Sequence, residues 1–274
     1  MLHLILLASL ALQASQPADP LSNSVPGAQD PMPQVNFAAV PAVRKDQWWI
    51  DRNNSFNTRA KQGAEKGDLD IIFMGDSITQ GWEGAGKPVW DKYYGKRSAV
   101  NFGIGGDRTQ HVLYRASTGN LDGLDTPDNG NSPRLVVLMI GTNNTGGSPG
   151  PGADQSNSAP QISEGVRACV NAIHDKVPGA HILVLGIFPR SEKPDDKRQV
   201  IIDTNAMLKT IGEGGDGERA MSRVHFLDIS DKFLEKDGTI SKGIMPDFLH
   251  LSEKGYQIWA EAIQPHVDRY APTR

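Results

Sequence analysis

Ser77, Asp247 and His250 are residues whose types and spacing could carry nucleophilic chemistry. Ser77 follows the apolar run Ile71-Ile-Phe-Met74 through Gly75-Asp76 and precedes Ile78-Thr-Gln-Gly81. A hydroxyl at such a strand-to-helix junction sits where free N–H groups and the helix dipole favour developing negative charge. The alternative for Ser77 is an ordinary helix cap. Asp247 and His250 are three apart, a spacing that brings side chains together on one helical turn. An aspartate there can accept from imidazole Nδ1, fix the tautomer and leave Nε2 to take a proton. The alternative is an ion pair in a surface loop. Gly105, Gly106 and Asn143 could supply donors around one oxygen, glycine by close approach of its N–H and asparagine by its amide. With the Ser77 N–H they would make an oxyanion hole; residue type alone does not choose between the two glycines.

Alternating elements must position these groups. Apolar runs at 71–74, 99–102, 135–140, 181–185 and 224–227 lack apolar/polar alternation, so they read as strands buried on both faces. Between them, Ile162, Val166, Cys169, Ile173 and Val177 step by 4, 3, 4 and 4, one face of a helix. Ile201, Met207, Leu208 and Ile211 suggest a second helix. The stretch from Leu251 to Tyr270 suggests a last one, with a kink at Pro265. Alternating strands and helices imply a parallel sheet covered on both faces, with ligands bound beyond the carboxyl ends of the strands. Ser77, the two glycines and Asn143 all fall at those ends.

Composition sets the outer limits. The chain has 274 residues, 28 Lys and Arg against 32 Asp and Glu, and a formal charge of −4, which gives no electrostatic reason to expect nucleic acid or an anionic membrane as partner. The single cysteine, Cys169, rules out an intramolecular disulfide and a multi-cysteine metal site, and on its apolar stripe it reads as a core thiol. Residues 1–14 form an apolar run too short to span a bilayer and suited to a secretory signal, so export to the periplasm or the medium is expected. Residues 15–43, rich in Pro, Ser, Ala and Asn, read as a disordered linker, and 44–274 as the folded domain. The stretch Gly81–Lys87 nearly spells a phosphate loop, but Pro88 stands where a Ser or Thr would hold magnesium.

Ser, Gly, Asn and Asp-x-x-His, in that order and at those positions, resemble the GDSL or SGNH esterase/lipase superfamily. The matching blocks are Gly75-Asp-Ser-Ile78, Gly105-Gly-Asp107, Gly141-Thr-Asn-Asn144 and Asp247-Phe-Leu-His250, with Ile78 in place of the leucine of the family motif. The stretch Asn101–Arg115 is similar to the catalytic-subunit branch of platelet-activating-factor acetylhydrolase, and the likeness covers about residues 45–270. The resemblance implies a flavodoxin-like three-layer α/β/α fold with a five-stranded parallel sheet. It also implies Ser77 as nucleophile, His250 as general base, Asp247 as its orienting partner, and Ser77, Gly106 and Asn143 as the oxyanion hole.

The expected activity is therefore serine ester hydrolysis through an acyl-enzyme, removing short acyl groups, acetyl above all, from a carbohydrate or small lipid ester, with no cofactor and no metal. The rival readings are a phospholipid deacetylase or lipase, and a non-catalytic carbohydrate- or partner-binding domain on an esterase fold. Thr145–Pro160 is a Gly/Pro-rich connection longer than the family's usual one, which would sit at the rim of the site.

Overall fold

The computed structural model describes residues 35–125, 132–146, 156–211 and 223–273. Five strands, β1 (Ile71–Gly75), β2 (Ala99–Gly103), β3 (Leu135–Met139), β4 (His181–Leu185) and β5 (Val224–Leu227), form one sheet in the order β2-β1-β3-β4-β5. Every neighbouring pair is parallel. Among the described residues seven α-helices surround it: α1 (Gln47–Lys66), α2 (Ser77–Gln80), α3 (Lys87–Tyr93), α4 (Thr109–Ser117), α5 (Ala159–Lys176), α6 (Asp196–Leu208) and α7 (Glu253–Tyr270). This is the flavodoxin-like three-layer arrangement expected from the sequence.

The period of two along each strand divides the core into two layers. Ile72, Met74, Val136, Leu138, Ile182 and Val184 face residues of α1, α4, α5 and α6. Ile71, Phe73, Leu135, Val137, Met139, Leu183 and Leu185 face α3 and α7. The three inner strands thus bury both faces, as their unbroken apolar runs require. Edge strands β2 and β5 bury less, with three of their residues each partly exposed. On the second face Phe73, Trp82, Trp90, Tyr94 and Trp259 form an aromatic cluster, with ring centroids 4.9–6.3 Å from Phe73. Phe73, Trp82, Tyr94 and Trp259 are fully buried and Trp90 partly, and each fully buried ring contributes about 1.5–3 kcal/mol of transfer free energy.

Two expectations shift. The linker expected through residue 43 ends sooner. Phe37–Ala39 form a 3-10 turn capped by Asn36, whose amide also bonds Gln161 O at 3.0 Å and Glu164 Oε2 at 2.8 Å, and the following strap reaches α4 through Ala42 N–H to Gln110 O at 3.0 Å. One compact unit covers Asn36–Arg274, while the expected leader and residues 15–34 lie outside the described residues. Met207, assigned by spacing to a buried stripe, is instead 40 % exposed, and the core face of α6 is carried by Ile201 and Leu208, with Thr204 and Asn205 beside them. The last helix runs through Pro265 from its cap at Ser252. Among the described residues no helix is long and apolar enough to cross a membrane.

Candidate active site

The register of the sheet brings the site together. Gly75 at the end of β1 is level with Gly103 on β2 and Met139 on β3, so Asp76-Ser77, Ile104-Gly105 and Ile140-Gly141 leave the sheet side by side. The helix carrying Ser77 lies close over β2. A Cβ on Gly103 would run into the backbone N of Gln80 and stand 2.9 Å from Asp76 O, so no larger residue fits there.

Ser77 is the first residue of α2, not its cap. That task falls to Asp76, whose Oδ1 accepts from Ile78 N–H at 2.9 Å. The Ser77 hydroxyl is thereby left to His250, whose Nε2 lies 2.9 Å from Ser77 Oγ. His250 Nδ1 lies 2.7 Å from Asp247 Oδ2, while Asp247 Oδ1 accepts from the backbone N–H of His250 at 2.7 Å and of Leu249 at 3.1 Å. Partial burial raises the Asp247 carboxyl, but the bonds from the His250 side chain and these two N–H groups outweigh it and hold the group below its ordinary value. Between them, Phe248 adopts a left-handed conformation at φ 60°, which costs a non-glycine residue about 1–2 kcal/mol. Its N–H donates to Met245 O at 3.0 Å and its carbonyl accepts from Ser191 N–H at 2.8 Å, so the turn is held from both sides.

The turn and the serine are 173 residues apart in sequence. Two features hold them in register. Ser252 caps α7 directly after His250-Leu251, and the Tyr256 hydroxyl, one turn further on, donates to Ile78 O in α2 at 2.7 Å. The Tyr256 ring packs 4.5 Å from Trp82, inside the aromatic cluster.

The glycine loop is fixed from beneath. Gly105 N–H donates to Gln80 Oε1 at 2.7 Å, and Gly105 O accepts from Arg44 Nη1 at 2.6 Å. Gly106 has φ +75°, a left-handed position where a side chain would be strained. Asp107 is fully buried and accepts from Trp49 Nε1 at 2.7 Å and Arg115 Nε at 2.8 Å. Arg115, likewise excluded from solvent, also donates to Phe102 O, Asn120 Oδ1 and Gly75 O, so one guanidinium holds the ends of β1 and β2 together with the loop. Burial pushes the Asp107 carboxyl up and the Arg115 guanidinium down, and their pairing opposes both shifts. Asn143 Nδ2 donates to Asp107 O at 2.8 Å, which sets the asparagine against the same loop. Asn144 braces the start of α4, accepting from Thr109 N–H at 3.0 Å.

The structure therefore gathers Ser77, Gly105, Gly106 and Asn143 at the carboxyl ends of β1, β2 and β3, and brings Asp247 and His250 to Ser77 from the turn before α7. Sequence reasoning missed the support: Arg44, Trp49, Gln80, Arg115 and Tyr256. Two further arginines stand near the site: Arg108 is 4 % exposed, and Arg190 donates to Thr142 O and Thr145 Oγ1, both at 3.2 Å. Of the long connection after Asn143, residues 147–155 lie outside the described residues.

The model of the GDSL-like lipase/acylhydrolase family matches residues 73–258. The human platelet-activating factor acetylhydrolase IB subunit alpha2 is 34% identical over 221 residues, covering 81% of this chain and 86% of the relative. The bovine alpha1 subunit is 32% identical over 227 residues, covering 83% and 85%. Among solved structures, a GDSL-like lipase from Bacteroides thetaiotaomicron superposes with TM-score 0.58 at 18% identity, over 78% of this chain and 97% of that one. An acetyl xylan esterase superposes with TM-score 0.57 at 18% identity, over 72% and 98%. The chain belongs to the GDSL-like lipase/acylhydrolase family and is an ester hydrolase.

Proposed function

We propose that the protein is a serine esterase that removes acetyl and similarly short acyl groups from a carbohydrate or small lipid ester. The observation that carries this reading is the continuous relay from Asp247 Oδ2 through His250 to Ser77 Oγ, with spans of 2.7 and 2.9 Å. In this reading Ser77 Oγ attacks the ester carbonyl carbon while His250 Nε2 takes its proton, and Asp247 stabilises the imidazolium that forms. The oxyanion is received by the N–H groups of Ser77 and Gly106 and by the Asn143 amide. Gly105 is the poorer donor because its N–H already serves Gln80. His250 then protonates the leaving alcohol, and water repeats the sequence on the acyl-enzyme. The acetyl preference is supported by the names of the relatives, acetylhydrolase subunits and an acetyl xylan esterase.

An alkyl fluorophosphonate tests the nucleophile. Intact mass should rise by one phosphonyl group in the wild type and not in Ser77→Ala. An unlabelled wild type would favour a binding domain without catalysis. A panel crossing acyl length with alcohol (acetylated xylan, acetylated sialic acid, short-chain phospholipid) then separates sugar from lipid esters. Export remains the reading of the apolar run at residues 1–14, and a mature amino terminus beginning soon after Ala14 is its test.

A further inference from the structure

Adjacent tryptophans at the start of α1 have opposite environments. Trp49 is 1 % exposed and gives its indole N–H to Asp107, whereas Trp48 is 48 % exposed. A half-solvated tryptophan presents a large apolar face to water, and this one lies beside the nucleophile. A Cβ built on Gly105 would stand 3.7 Å from Ser77 Cβ and 3.9 Å from Trp48 Cη2, which puts the ring edge within about 8 Å of Ser77. The ring also has a fixed neighbour. Arg44 Cζ lies 5.0 Å from its centroid. That guanidinium is locked by Asp46, through Nε to Oδ2 and Nη2 to Oδ1 at 3.1 Å each, and by Gly105 O.

We propose that Trp48 is the platform on which the neutral pyranose ring of an acetylated carbohydrate stacks while its ester reaches Ser77. This rests on the reading of Ser77 as nucleophile. Three physical points select the occupant. The C–H face of a pyranose is flat and apolar and gains from burial against an indole, while its hydroxyls stay at the rim in water. A trimethylammonium headgroup would instead bind through the negative quadrupole of the ring. Arg44 Cζ already sits over the ring, which leaves less of that quadrupole for a second cation. The arginine clamp also restricts Trp48 before substrate arrives, so less side-chain freedom is lost on stacking. An alcohol held on Trp48 is one sugar unit from the serine, which suits an O-acetyl group carried directly on the stacked ring.

The test compares wild type, Trp48→Ala and Trp48→Phe on methyl tri-O-acetyl-β-xylopyranoside and on ethyl acetate, whose alcohol carries no ring. In Trp48→Ala the ratio of kcat/KM for the xylopyranoside to that for ethyl acetate should fall about tenfold, chiefly through KM. Trp48→Phe should recover most of it. Xylotriose, which has no ester, should compete with ethyl acetate in the wild type, with a Ki about tenfold higher in Trp48→Ala. An unchanged ratio and Ki, with ethyl acetate still cleaved by the wild type, would overturn the platform and leave the esterase reading standing. Loss confined to an acetylated phosphocholine lipid would reassign Trp48 to a cationic headgroup and overturn the proposal. A wild type that cleaves none of these esters would sink both readings.

Discussion

Arg115 donates through Nε to Asp107 Oδ2 at 2.8 Å, with both side chains wholly excluded from solvent. Removing Asp107 leaves Arg115 without its counter-charge in the interior, which typically costs about 3–5 kcal/mol. Asp107→Ala should therefore destabilise the fold by that order, measured as ΔG from urea unfolding, and Arg115→Met by less, because Asp107 keeps Arg44 at 3.4 Å and Trp49 Nε1 at 2.7 Å. The double variant should lose less than the two single losses together, because neither charge is then stranded. Strictly additive losses would show that the pair does not act as a unit.

The relay should behave as one device. Ser77→Ala and His250→Ala are each expected to lower kcat on 4-nitrophenyl acetate by about 10⁴-fold or more, and their combination by little further. Asp247→Ala should lose less, about 10²–10⁴-fold, because His250 remains in reach of Ser77. Independent, multiplying losses would argue against a shared proton path.

Asn143→Ala should lower kcat by about 10²–10³-fold with a small change in KM, as loss of a donor used only in the transition state requires. Gly106→Ala and Gly105→Ala separate the two loop glycines. At Gly106 the new Cβ meets φ +75° and stands 3.2 Å from Arg44 Nη1. At Gly105 it meets only the end of the Gln80 side chain at 3.3 Å, which can yield. Gly106→Ala should thus be the more damaging to kcat, and the reverse order would move the oxyanion donor to Gly105.

Asp76 should write its own signature on the pH dependence of stability. Burial pushes its carboxyl up to about 7, against the hydrogen bond from Ile78 N–H, and Oδ2 has no hydrogen-bond partner among the described residues. A carboxyl raised on folding holds a proton that the unfolded chain has lost. Its stabilising effect is full below the ordinary value of 3.8 and declines as pH rises through about 7. Asp76→Asn keeps an oxygen for Ile78 and does not titrate. The stability of the wild type relative to Asp76→Asn should fall by roughly 2–4 kcal/mol between pH 4 and pH 8. His111 slopes the other way, because burial lowers it to about 3 and its contribution is lost as pH falls below 6.5. That slope is common to both proteins and cancels in the difference. A flat difference curve would mean that Asp76 is ionised at no extra cost.

The sheet and the candidate site residues were legible because they obey local rules. Uninterrupted apolar runs mark doubly buried strands, and polar residues directly after them stand at the ligand-binding edge. The supports were less legible because they are long-range. Arg44 and Asp107 lie 63 residues apart, and an arginine seen alone defaults to the surface. Asp76 and Ser77 compete for the role of cap, and residue type does not rank them; the observed answer is the one that leaves a hydroxyl for His250. Residue type left Gly105 and Gly106 open and the resemblance implied Gly106; that the Gly105 N–H serves Gln80 Oε1 is a contact 25 residues away that no local pattern shows. Met207 misled because its spacing fitted a stripe that Ile201 and Leu208 carry without it.

The strap bearing Arg44 and the first turn of α1 bearing Trp49 both precede residue 73, where the match to the family model begins, and α7 continues past 258, where that match ends. A gene trimmed to the shared stretch would still encode Ser77, Asp247 and His250. Its product would lack the clamp on Gly105 and Asp107 and the last turns of the helix that carries Tyr256. The limits of the family model and of the compact unit Asn36–Arg274 are therefore different here. Recombinant work on this enzyme is best begun upstream of Asn36.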